Sequence, residues 1–378
     1  MSLRSRRNRS WEVRASTLAL NTHNSIRSII ENLQVEPNPK KQLIALSIGD
    51  PTTFGNLNPP EQVLQAVRDS VELHSSRGYG PSYGHLDARQ AVADYSVHQG
   101  SVAPENVILC SGCSHSIELA ITVLADPGQN VLVPRPGFLI YKTLAEGLGI
   151  EIKYYNLLPD QQWKIDLDDL ENQIDSKTAV IVVTNPSNPC GSVYKKEHLN
   201  EILDIASRNF VPIIADEIYE HMVFSDNEYT AISALSKDVP VLSCSGITKR
   251  FLVPGWRMGW VIIHDRKNIF GEEIRQGLIN LSTKIMGPNA IVQRALPAIL
   301  KLTPQSFFDE VILFIECFEY PNFMRIVLTV PADILQEACS RIKIFCRDHI
   351  VYNEKLKEIE SGVIPVPNEV NIISSKDV

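Results

Sequence analysis

Between residues 107 and 263 the chain alternates short β-branched runs with stretches of helical periodicity. That pattern confines it to a mostly parallel sheet covered by helices. The strand-like runs fall at 107–110, 130–133, 150–154, 179–184, 211–215, 241–244 and 260–263. Helical spacing puts Val63, Leu64, Val67 and Val71 on one face of 61–73. A strongly apolar helix is expected over 114–124, and another over 196–206 with Leu199, Ile202, Leu203 and Ile205 buried. No internal repeat is visible. The expected fold is therefore α/β, with a large domain at 46–295 built on a mostly parallel seven-stranded sheet. A smaller, incomplete α+β domain is expected from 16–45 and 296–359, with loose tails at 1–15 and 360–378.

With 378 residues, 44% of them hydrophobic, the chain can bury a large core. Its net charge of -8 argues against nucleic-acid or polyanion partners, which require a cationic face. Small molecules are the expected ligands. No apolar run reaches the roughly 18 to 20 residues that span a bilayer, so no membrane partner is expected. Seven scattered cysteines, an odd number, fit reduced thiols in the cytoplasm. Cys110 and Cys113 form a C-x-x-C without a second pair, so no metal is expected. Arg4, Arg6, Arg7, Arg9 and Arg14 give the N-terminus the composition of a basic tail, with a mitochondrial presequence as the alternative.

The chemistry-bearing residues cluster at strand ends. Lys249 follows the 241–244 run, where an open α/β sheet places its ligands and where burial would make an amine nucleophilic. Asp216 ends the 211–215 run, as either a helix N-cap or the partner of a protonated ring nitrogen, with Tyr219 one turn on. Asn188 lies in Asn185-Pro-Ser-Asn-Pro-Cys-Gly191, a turn that can also offer an amide donor. Ser111-Gly112-Cys113-Ser114 leads into a helix and suits a phosphate. Arg257 could supply that phosphate's cation or form a surface salt bridge, and Phe138 could cover a ring or fill the core. An amine, a carboxylate and a phosphate cradle are the parts needed to hold pyridoxal phosphate.

These residues sit in stretches that resemble the fold type I pyridoxal-phosphate aminotransferases, and among them the tyrosine aminotransferase group. The matching segments are Leu46-Ser-Ile-Gly-Asp-Pro-Thr52, Ser111 to Ser114, Val133-Pro-Arg-Pro-Gly-Phe138, Asn185 to Ser192, Ala215-Asp-Glu-Ile-Tyr219 and Lys249-Arg-Phe-Leu-Val-Pro-Gly-Trp-Arg257. The resemblance implies that Lys249 is the Schiff-base lysine that also moves the substrate's α-proton. It assigns Asp216 to the ring nitrogen, Tyr219 and Asn188 to the phenolic oxygen, and Phe138 to the ring face. Ser111, Gly112, Cys113, Ser114 and Arg257 would surround the phosphate, and Tyr79 would reach the phosphate of a neighbouring subunit in a homodimer. Gly49 would close over the substrate and Arg325 would grip its α-carboxylate, with Asn24 and Lys284 as specificity contacts. The implied reaction carries the amino group of tyrosine to 2-oxoglutarate.

In one place the chain departs from that pattern. Residues 312–316 join the helix near Phe307 directly to the strand-like run with Arg325, where the family has a block of small-domain strands and helices. Without those sheet partners the run at 324–330 has an exposed edge. A chain that binds the cofactor without turnover, or an eliminating lyase on the same cradle, is therefore the alternative. A nucleotide-binding protein is the weaker one, since no G-x-G-x-x-G or P-loop is present.

Overall fold

The computed structural model describes residues 13–24, 28, 32, 38–44, 46, 50, 52–223, 227–311 and 330–349. All seven expected strands form: β1 (Val107–Cys110), β2 (Asn130–Arg135), β3 (Glu151–Leu158), β5 (Thr178–Thr184), β6 (Ile213–Asp216), β7 (Val241–Gly246) and β8 (Gly259–His264). A two-residue β4 (Lys164–Ile165), too short to show in the pattern, returns antiparallel against β3. The sheet order is β1-β8-β7-β6-β5-β2-β3-β4. The centre from β3 through β7 is parallel, whereas β8 runs antiparallel to both β7 and β1.

Side chains alternate faces along a strand, so each run divides its apolar residues between two layers. One layer takes Ile108 and Cys110, Val131 and Val133, Ile214, Leu242 and Cys244, and Val261 and Ile263. They pack under the helices Cys113–Leu124, Ile140–Gly147 and Gly271–Ser282. The other layer takes Val107 and Leu109, Ile181 and Val183, Ile213 and Ala215, and Trp260 and Ile262. These lie against Lys196–Asn209 at one end, and against Glu61–Glu72, Leu86–Tyr95 and Ala290–Leu302 at the other. Coverage on both faces buries β6, β7 and β8 along their whole length, including the polar Asp216, Ser243, Ser245 and His264. Each fully buried Val, Ile or Leu contributes about 1.5–3 kcal/mol.

The helix expected at 114–124 begins one residue earlier, and that expected at 196–206 runs on to Asn209. Helix Gln305–Val311 stands on the core through Phe308, which meets Phe251 edge-on at 5.4 Å. Helix Ala332–His349 follows the undescribed stretch, and Arg341 Nη1 donates to the Gln42 carbonyl at 2.8 Å. The expected strand at 324–330, apart from its last residue, lies outside the described residues, as do Gly49 and Arg325. No described helix is long and apolar enough to cross a membrane.

Candidate active site

The register of the parallel strands brings Thr184, Asp216 and Cys244 side by side at the carboxyl edge of the sheet. Asp216 is 2% exposed and is no N-cap, because a turn rather than a helix follows it. Its carboxylate instead accepts from the Ile218 N–H at 3.4 Å, and Glu220 N–H closes the turn on the Glu217 carbonyl. That turn sets Tyr219 three residues on.

Two donors hold the Asp216 side chain: Tyr141, which no sequence pattern pointed to, and Cys113, expected at the phosphate instead. Tyr141 Oη donates to Oδ2 at 2.5 Å, and the Cys113 thiol approaches Oδ1 at 3.8 Å. The Tyr141 hydroxyl is itself fixed by Thr184 Oγ1 at 2.8 Å. Burial, and then the Asp216 charge, hold both the tyrosine and the thiol well above their usual pKa, so both remain donors. Burial pushes the Asp216 carboxyl up, while Tyr141, the Ile218 amide, Cys113 and the charge of Lys249 oppose that rise. A cation at this carboxylate would complete a buried pair.

Lys249 lies in the turn after β7, half-buried, with its Nζ 5.6 Å from the centroid of the Tyr219 ring. Its charge acts on Asp216, so amine and carboxylate belong to one site. Asn188 is half-buried in the loop that leaves β5, and Asn185 N–H ties that loop to the Asp216 carbonyl at 3.1 Å. Phe138 is half-buried, edge-on to Tyr141 at 6.0 Å.

Arg257 makes no surface salt bridge among the described residues. Its guanidinium donates to the Pro254 carbonyl at 2.9 Å and the Ser111 carbonyl at 3.3 Å, which sets it on the turn before helix Cys113–Leu124. Gly112 makes this approach possible: its φ is +85°, and a Cβ there would come within 2.4 Å of Arg257 Nη2. Gly259 is equally necessary, since its Cβ would meet the Cys113 nitrogen at 2.6 Å. A guanidinium beside the first turn of a twelve-residue helix fits a phosphate. Asp216 fits a protonated ring nitrogen and Lys249 an aldehyde, so the residues present suit pyridoxal phosphate.

Tyr79 is 89% exposed. Asn24 is described and half-buried, and Lys284 is exposed on the turn after helix Gly271–Ser282.

The parallel sheet, the lysine and carboxylate at its carboxyl edge, and the guanidinium on the helix turn define a cofactor-dependent transferase. A model of the family "Aminotransferase class I and II" matches residues 41–315, and the chain belongs to that family of pyridoxal-phosphate enzymes. It is 47% identical to the tyrosine aminotransferases of Mus musculus and Homo sapiens, in alignments that cover 90% of this chain and 88% of each relative. Among solved structures it resembles the tyrosine aminotransferase of Leishmania infantum with a TM-score of 0.84 and 30% identity, over 90% of this chain and 99% of that one. The alignment to the mouse relative runs over 401 positions but uses 90% of these 378 residues, so roughly sixty positions of the relative have no counterpart here.

Proposed function

We propose that the chain transfers the amino group of L-tyrosine, with other aromatic amino acids as further donors, to 2-oxoglutarate. The observation that carries this reading is the 47% identity to mammalian tyrosine aminotransferases in a chain that sets Asp216, Lys249 and Arg257 around one sheet edge. When bound, pyridoxal phosphate supplies an aldehyde and a ring that draws electrons from the substrate's α-carbon. Lys249 Nζ takes up the α-proton. Asp216 keeps a negative charge against the ring nitrogen, backed by Tyr141 and Cys113. Tyr219 and Asn188 would hold the phenolic oxygen, and Phe138 would cover the ring. Arg257, with the Ser111–Ser114 turn, would neutralise the phosphate. Gly49 and Arg325 are assigned to the substrate, the latter because a guanidinium fork matches a carboxylate.

The exposed ring of Tyr79 supports its placement in a neighbouring subunit's site, and hence a homodimer. The bond from Arg341 to the Gln42 carbonyl supports a smaller domain drawn from both ends of the chain. Five described cysteines are free thiols, which fits a reducing compartment such as the cytoplasm.

Lys249→Ala tests the reading directly. We expect the bound cofactor's visible absorption to change, borohydride labelling of the Lys249 peptide to disappear, and turnover to fall at least about 10³-fold. A label on a different peptide, or an unchanged spectrum after dialysis, would overturn the lysine assignment. The missing stretch of roughly sixty positions favours a second reading, a chain that holds the cofactor without turnover. Cofactor absorbance without release of 4-hydroxyphenylpyruvate would select it.

A further inference from the structure

The turn after β6 carries a second group of polar side chains. His98, from the short helical turn Val97–Gln99, meets the consecutive residues Glu220 and His221. One ligand atom from each of the three lies within 4.8 Å of the other two. His98 Nε2 is 3.1 Å from Glu220 Oε2, and the two imidazole rings are 4.2 Å apart at 70°. Glu220 is 2% exposed, and its other oxygen accepts from Ser245 Oγ at 2.8 Å. The His98 ring also bonds the backbone of Tyr95. With Nε2 facing Glu220, that bond belongs to Nδ1, and a backbone carbonyl on the far nitrogen is the usual support of a metal-binding histidine.

An independent observation points the same way. Glu217 is 1% exposed, and its carboxyl lies against the Tyr229 and Ser243 hydroxyls without a hydrogen bond of ordinary length to either. It lies within the electrostatic reach of both His98 and Glu220. The two hydroxyls are its nearest donors and oppose the rise in its pKa that burial causes. Tyr229 also packs edge-on to His98 at 5.9 Å and His221 at 5.1 Å, so Glu217 adjoins the same cluster. A buried carboxylate held only by two loosely placed hydroxyls is costly. With a metal bound both imidazoles would be neutral, and the two carboxylates would then carry a charge that one divalent cation cancels.

We propose that His98, Glu220 and His221 bind a divalent transition-metal ion, Zn²⁺ by the nature of the donors, with Glu217 completing the site directly or through a water. Two imidazoles with a carboxylate suit zinc, whereas Mg²⁺ and Ca²⁺ take oxygen ligands. Zinc ligands at about 2.0–2.1 Å lie roughly 3.3 Å from one another, so small side-chain adjustments close the cluster. Solvent reaches the site past the His98 side chain, which is 21% exposed. The ion would be structural, clamping the segment after helix Leu86–Tyr95 to the turn that carries Asp216 and Tyr219.

The test uses the full chain with its cofactor, dialysed against a chelator and titrated with Zn²⁺ by calorimetry. Metal content and thermal melting are followed in parallel. The expected result is one equivalent bound per chain, an X-ray absorption spectrum with nitrogen and oxygen ligands and no sulfur, and a higher Tm with Zn²⁺. His221→Ala and Glu220→Gln should each weaken binding at least about tenfold and abolish the rise in Tm. Absence of saturable binding would overturn the proposal, as would sulfur ligation or affinity unchanged in both variants.

Discussion

Asp216 and Glu217 are adjacent, both carboxylates and both almost fully buried, yet the chain treats them in opposite ways. Asp216 points into the layer of helices Cys113–Leu124 and Ile140–Gly147, where a tyrosine, a thiol and a backbone amide donate to it. Glu217 faces only the Tyr229 and Ser243 hydroxyls, neither of which makes a hydrogen bond of ordinary length to it. Asp216 ends β6 whereas Glu217 is the first residue beyond it, so the two carboxylates meet different neighbours. The difference teaches that burial alone does not make a carboxylate useful. A buried charge needs either donors already in place, as Asp216 has, or a cation that arrives later.

The comparison breaks first at Asp216→Asn, which keeps the shape and removes the charge. Turnover is expected to fall about 10³-fold, within the range for displaced acid–base groups. Steady-state kinetics within threefold of the parent would show that the charge has no part in the reaction.

Glu217→Gln should act on stability instead. Burial, with Glu220 next, raises the Glu217 carboxyl from 4.5 to about 7. Across that window the unfolded chain has already lost the proton that the folded chain keeps, so in metal-free protein stability falls as pH rises from about 4.5 to about 7 and stays low above it. The amide removes that loss, a gain of up to about 3 kcal/mol at pH 8 and little at pH 4. Denaturant melts in chelator at both pH values check it, and an equal effect at the two would contradict the assignment.

Tyr141→Phe sharpens the comparison by making Asp216 more like Glu217. Loss of a hydrogen bond to a charged group is worth about 1.5–3 kcal/mol. The Asp216 carboxyl then rises further, and the acid limb of cofactor affinity should move to higher pH. Fluorescence titration with pyridoxal phosphate from pH 5 to 8 measures the shift, and an unmoved limb would remove Tyr141 from the site.

The strands were legible because each is a short β-branched run bounded by turn residues, and such runs need no distant partner to be recognised. Lys249, Asp216, Asn188 and Arg257 were legible because each stands directly after a strand or turn at the sheet edge. Tyr141 was not: it lies 75 residues from Asp216, on a helix whose pattern reads as ordinary packing. His98 was not legible either, since 122 residues separate it from Glu220 and an isolated histidine in a polar segment carries no signal. The metal-free expectation rested on Cys110 and Cys113. Cys113 turns its thiol to Asp216, while the imidazoles gather elsewhere.

The amino-acid sequence by itself determined the mostly parallel sheet, the family, and the position of the lysine and its carboxylate, because all of these are written in local periodicity and contiguous motifs. The tertiary structure alone decided that Tyr141 and Cys113 reach Asp216 and that His98 meets Glu220 and His221. That choice depends on which helix covers each face of the sheet, and the covering helices come from parts of the chain far removed in sequence.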